Sequence, residues 1–207
     1  MSLAQKRFVS HPRYGDRPRY TGLNFERYSS GVHLHWHCRD ATPEQLNCIQ
    51  VGAFPTQMLA EGFSAAIPNT GVVADVSLQH SSCMPVTHYF DIATVCVDCR
   101  SPFIFYAEEQ KHWYEELSFP IDADCVRCYP CRRATQDIDR TVCSYEDLMS
   151  VQDPSPDQQA DLAARRLTLV QAGRFHTRQL EHVRAFLNRF PDHPKSADIR
   201  SRLAAIA

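Results

Sequence analysis

The paired cysteines constrain this chain more than any other feature. The stretch CVDCRSPFIFYAEEQKHWYEELSFPIDADCVRCYPCRR, residues 96–133, holds five of its nine cysteines. An odd count excludes a fully paired disulfide framework within one chain. The first twenty residues lack the apolar centre of a secretory signal, and no apolar run reaches the roughly 18 residues a membrane span needs. A cytoplasmic, reducing setting is therefore expected, where CxxC pairs serve metals or redox chemistry more often than structural disulfides. A thioredoxin-like redox pair fits poorly, because neither CxxC opens a helix inside a recognisable βαβ unit.

Two CxxC pairs about 28 residues apart suit tetrahedral zinc, since each short loop brings two sulfurs to one ion. Cys96 and Cys99 form the first pair. In the second half Cys125, Cys128 and Cys131 allow two choices, CVRC or CYPC. CYPCR repeats the pattern of CVDCR, and Pro130 stands where a helix could begin at the ligand, its N-terminus favouring thiolate. Both features favour Cys128 and Cys131 and leave Cys125 a spare thiol. Four protein sulfurs fill the coordination sphere, so Zn2+ bound there is structural rather than catalytic.

These residues resemble the probable zinc-ribbon family of bacterial proteins, in which a strand and a CxxC precede an aromatic segment with Glu-Gln and Trp-Tyr-Glu, followed by RCxxCR. Here they read Cys96 to Cys99, Phe103-Ile-Phe105, Glu109-Gln110, Trp113-Tyr114-Glu115 and Arg127-Cys128-Tyr-Pro-Cys131-Arg132. With the preceding IPNTGVVADVSLQ, the likeness covers roughly residues 67–133. It implies a small zinc-binding fold with Cys128 and Cys131 as ligands, and it carries over no reaction.

Around that centre the chain divides by texture into a basic, flexible arm (1–25), a small α+β region (26–90), the zinc ribbon (91–150) and a helical extension (151–207). GVHLHWHC alternates as a strand does. Thr42 before Pro43 reads as a helix cap, and one or two short helices are expected through TPEQLNCIQVGAFPTQMLAEGF. HYFDIATVCVDC and SPFIFYA read as strands, and Ala107 to Leu117 as a helix whose glutamates, Glu108, Glu109, Glu115 and Glu116, form its solvated face. A further helix is expected from the second cysteine pair through Ala134, Ile138 and Val142. Beyond the linker QDPSPDQQ, Ser155, Pro156 and Gln158 make a capping box. Leu180, Val183 and Leu187 line a second helix there, and Ile199, Leu203 and Ile206 a third. Residues 172–206 resemble a tetratricopeptide-type hairpin in spacing. The fold class is α+β: a treble-clef-like, four-cysteine ribbon with a β-containing region before it and helices after it.

Charge narrows the partners. Residues 1–30 carry six Lys/Arg against two Asp/Glu, whereas residues 91–150 carry six against twelve. A tetrathiolate zinc centre adds a further −2, which disfavours duplex DNA near the ribbon. A protein partner is expected, with RNA an alternative through Arg13, Arg17 and Arg19; a homo-oligomer is compatible with the helices, and a membrane partner is not expected. A non-enzymatic interaction or scaffolding module follows as the leading reading. Its rival is a metal-dependent enzyme using His33, His35 and His37, joined by His88 and Asp91.

Overall fold

The computed structural model describes residues 5–24, 41–55, 64–80 and 85–206. It divides into two compact units, Met1–Arg132 and Arg133–Ala207. The division falls near the metal motif rather than at residue 150, because the expected boundary followed loop composition whereas compactness follows packing.

The first unit is built from short strands. β1 (Gln5–Arg7) pairs antiparallel with β2 (Ala53–Pro55), and α1 (Pro43–Gln50) lies between them in sequence. Thr42 caps α1 in a full capping box with Gln45, with proline in its first turn. The segment after Gly52, expected to be helical, instead gives β2. Gly52 takes a φ of +79, which turns the chain out of the helix.

β3 (Ala65–Ala66), β6 (Ile92–Val95) and β7 (Pro102–Phe105) form an antiparallel sheet in the order β3-β6-β7. Side chains alternate across it, and both faces are covered. Ala93 and Ile104 join Phe8, Ile49, Phe54 and Ile67 in one cluster. Their neighbours Ile92, Phe103 and Phe105 join Tyr89 and Tyr114 in the other. Burial on both sides makes β7 apolar throughout, where a one-sided strand would alternate. A second hairpin pairs β4 (Val72–Val73) with β5 (His88–Tyr89).

α2 (Ala107–Lys111) follows β7 and continues into a π-helical turn over His112–Glu116. Its first N–H, from Ala107, donates at 2.8 Å to Asp91 Oδ1, a cap supplied from 16 residues away. Asp91 Oδ2 accepts the Arg19 N–H at 2.8 Å. Burial is the main influence on this carboxyl and pushes it up to about 7 against those two donors.

Residues 5–24 do not behave as a solvated arm. Phe8 is buried against Phe54 at 5.6 Å, the Val9 N–H donates to Pro102 O at 2.8 Å, and Tyr106 Oη donates to Gly15 O at 2.8 Å. The basic side chains mask this in the sequence: Lys6, Arg7, Arg13, Arg17 and Arg19 are exposed, while Phe8 and Pro18 between them are buried.

α3 (Tyr129–Met149) starts in the first unit. In the second unit α4 (Pro156–Gln171), α5 (Leu180–Arg189) and α6 (Ser196–Ala204) pack on one another. Ser155 and Gln158 form the capping box, and Gly173, at φ +69, ends α4. Val183, Phe186, Leu187 and Ile199 meet Ala160 and Ala163 in the core, and Leu167 and Leu180 form an adjoining cluster. Helical periodicity alone specifies these faces.

Candidate metal centre

β6 delivers Cys96 and β7 carries the chain away, so the first pair sits in the turn of a hairpin. The turn closes through Arg100 N to Cys96 O and Cys96 N to Ser101 O, both 3.0 Å, and Arg100 takes a φ of +55 to reverse the chain. The second pair opens α3. Cys128 precedes the helix and its carbonyl accepts the N–H of Arg132, four residues on, at 3.0 Å. The Cys131 N–H points back at the Cys128 sulfur, a donor that favours thiolate. Hairpin turn and helix start are tied by Val97 N to Val126 O at 3.0 Å and by Arg127 Nε to Asp98 Oδ2 at 2.9 Å.

The ligand atoms of Cys96, Cys99, Cys128 and Cys131 all lie within 4.8 Å of one another, the one such group among the described residues. Cys99 Sγ and Cys128 Sγ are 3.7 Å apart. A disulfide needs about 2.05 Å. A tetrahedral ion with metal–sulfur bonds of about 2.3 Å separates its ligands by about 3.8 Å, so the donor set fits a metal. Electrostatics agree: burial and the neighbouring sulfurs push the Cys128 and Cys131 thiols up. Burial also raises Cys99, but hydrogen bonds from Ser101 and its neighbours outweigh it and hold that thiol down to about 7. Four thiolates so close need a cation between them.

Cys125 lies outside the group. It is 6% exposed in the aromatic cluster and donates to Arg127 O at 3.4 Å. Burial pushes it up to about 12, so it remains a neutral thiol. Tyr114 Oη donates to Ala123 O at 2.8 Å and steadies the approach to the second pair.

Residues 90–140 match the family model described as a probable treble clef domain, a segment well short of half the chain. This segment is a treble-clef, zinc-finger-like domain. Its hairpin turn, helix start and four clustered sulfurs are the parts such a domain requires. No curated protein and no solved structure matches the chain.

The other candidates scatter. His33, His35 and His37 lie outside the described residues. His88 Nδ1 bonds Thr87 Oγ1 at 3.0 Å, and both oxygens of Asp91 are taken by backbone N–H groups. Arg13 and Arg19 lie over the Tyr14 ring at 5.4 and 5.6 Å, and Arg19 pairs with Glu108 at 2.8 Å. Among the described residues no helix is long and apolar enough to cross a membrane.

The treble clef domain corrects the reading of its glutamates. Glu109 and Glu115 have side chains only 8% and 4% exposed. Glu115 Oε1 accepts the Asp75 N–H at 2.7 Å, and Glu109 Oε1 meets Arg132 Nη2 at 2.5 Å and His11 Nε2 at 3.5 Å. Burial lowers the His11 imidazole pKa against the pull of Glu109. The hint was Glu109's place beside Gln110 in a motif with inward aromatic residues; a solvated face needs neither.

Proposed function

We propose that this protein binds one zinc ion through Cys96, Cys99, Cys128 and Cys131, and that the treble clef domain so fixed serves as a non-enzymatic interaction module. The observation that carries the reading is the closed donor set: four sulfurs within 4.8 Å leave no ligand position for water or substrate. A protein partner fits better than a phosphate backbone. A tetrathiolate zinc carries net charge −2, and apolar Val97, inside the first cysteine pair, and Val126, two residues before the second, are 48% and 44% exposed. Elemental analysis of purified protein tests the core of the reading. One zinc per chain is expected, retained in His35→Ala and lost in Cys128→Ser. A second, His35-dependent ion would favour an enzyme instead.

A further inference from the structure

Two arginines border the second cysteine pair, Arg127 before Cys128 and Arg132 after Cys131. Each meets an acid, but in opposite surroundings. Arg127 and Asp98 are 41% and 42% exposed, a setting in which an ion pair contributes little. Arg132 and Glu109 are 16% and 8% exposed. Burial raises the cost of such a pair, and this one is incompletely satisfied: Glu109 Oε2 and Arg132 Nε are buried without a hydrogen-bond partner. As a source of stability it is poor. As a device for fixing position it is good, because the Arg132 guanidinium also lies 4.9 Å from the centre of the Trp113 ring. Glu109 and Trp113 belong to one continuous run, α2 and its π-helical turn. That run therefore grips the first turn of α3, where the Arg132 N–H bonds Cys128 O and Cys131 is the adjacent residue.

The two halves of the metal centre differ in their need for such a grip. Cys96 follows directly on β6, whose ladder to β7 has four residue pairs, and it is fully buried. Cys128 and Cys131 follow a loop and stand at a helix start, with no strand ladder behind them.

We propose that Glu109 and Trp113 hold Arg132 as a clasp that positions Cys128 and Cys131, and that this clasp sets how slowly the centre gives up its metal. The inference rests on the zinc reading above. When a metal–sulfur bond opens, a clasped helix start keeps the sulfur within reach, so it re-forms the bond before a competing chelator intervenes. Residues that orient ligands without touching the metal typically change metal affinity or activity by about 10 to 100-fold.

The test uses the full-length, zinc-loaded chain and follows metal transfer to an excess of a chromophoric chelator. Glu109→Gln and Arg132→Lys are expected to release zinc at least about 10-fold faster at unchanged stoichiometry. Arg127→Ala should stay within about two-fold of the parent. Phe54→Leu, which weakens the other core cluster of the first unit, should lower the unfolding midpoint without hastening release. Trp113→Phe supplies a second route should Glu109→Gln fail to fold, and intermediate release is expected. Parent-like rates in both Arg132→Lys and Trp113→Phe, or equal acceleration by Arg127→Ala, overturn the clasp. Release that merely tracks the unfolding midpoint across all variants overturns it too. A parent chain that takes up no zinc overturns the metal reading and the clasp together, whereas a zinc-binding parent with unresponsive variants overturns the clasp alone.

Discussion

The two units reach order by different means. The first has strands of two to four residues, a helix capped from a distant aspartate and two aromatic clusters on either side of a small sheet. Besides most of the longer α3, the second has helices of nine to sixteen residues, the first of them capped by its own neighbour Ser155, joined along apolar faces. Short strands leave much backbone to be ordered by side chains, ligands and metal, while helices satisfy their own hydrogen bonds first. The difference teaches where the cysteine cluster falls: at the joint between a hairpin turn and a helix start.

Removing the metal should expose this contrast most sharply. Structural zinc contributes on the order of 10 kcal/mol of folding free energy in small domains. A strong chelator, or Cys96→Ser, should abolish the near-ultraviolet signal of the aromatic cluster around Trp113. Most far-ultraviolet helical signal should survive, and the transition of the second unit should keep its midpoint. A single transition that collapses as a whole on chelation would break the comparison.

Asp91 gives the next largest effect, confined to the first unit. Its carboxyl is raised from 3.8 to about 7 by burial, and at 1.36 kcal/mol per pKa unit the difference is about 4 kcal/mol. For a raised acid the favourable contribution is complete below the unfolded value and is lost as pH climbs through about 7. The thiols oppose this, since metal binding strengthens as they lose protons. Denaturant unfolding of parent and Asp91→Asn at saturating zinc isolates the carboxyl. From pH 4 to pH 8 the parent should lose stability relative to the variant; a constant difference would show that Asp91 titrates alike in both states.

Leu167→Ala addresses the second unit. Leu167 is fully buried between α4 and its neighbours, and its truncation should cost about 3 kcal/mol. Calorimetry should show the helical transition moving down while zinc content stays at its parent level. Metal loss on this substitution would mean that the units are not separately ordered.

Legibility followed separation along the chain rather than the division into units. The helix cap at Thr42, the capping box at Ser155 and the apolar faces of α5 and α6 were readable because each depends on residues a few positions apart. The cysteine pairs were readable for a similar reason: both ligands of a CxxC lie within one turn of chain. Glu109 was not, since its Arg132 partner is 23 residues distant and a glutamate-rich helix resembles a solvated one. Nor was the packing of residues 5–24, whose buried Phe8 and Pro18 are outnumbered by exposed basic side chains. The helix expected after Gly52 gave way to β2 because pairing with β1, 48 residues earlier at Lys6 and Phe54, outweighed local preference.

By itself, the sequence determined that this chain carries two cysteine pairs suited to one metal and a set of amphipathic helices beyond them, because ligand spacing and helical period are written over a few residues. Only the tertiary structure decided that Cys125 is left a buried neutral thiol, that Asp91 caps α2, and that Glu109 turns inward to Arg132. Those outcomes depend on desolvation and on partners brought together across the chain, and neither is a property of any short stretch.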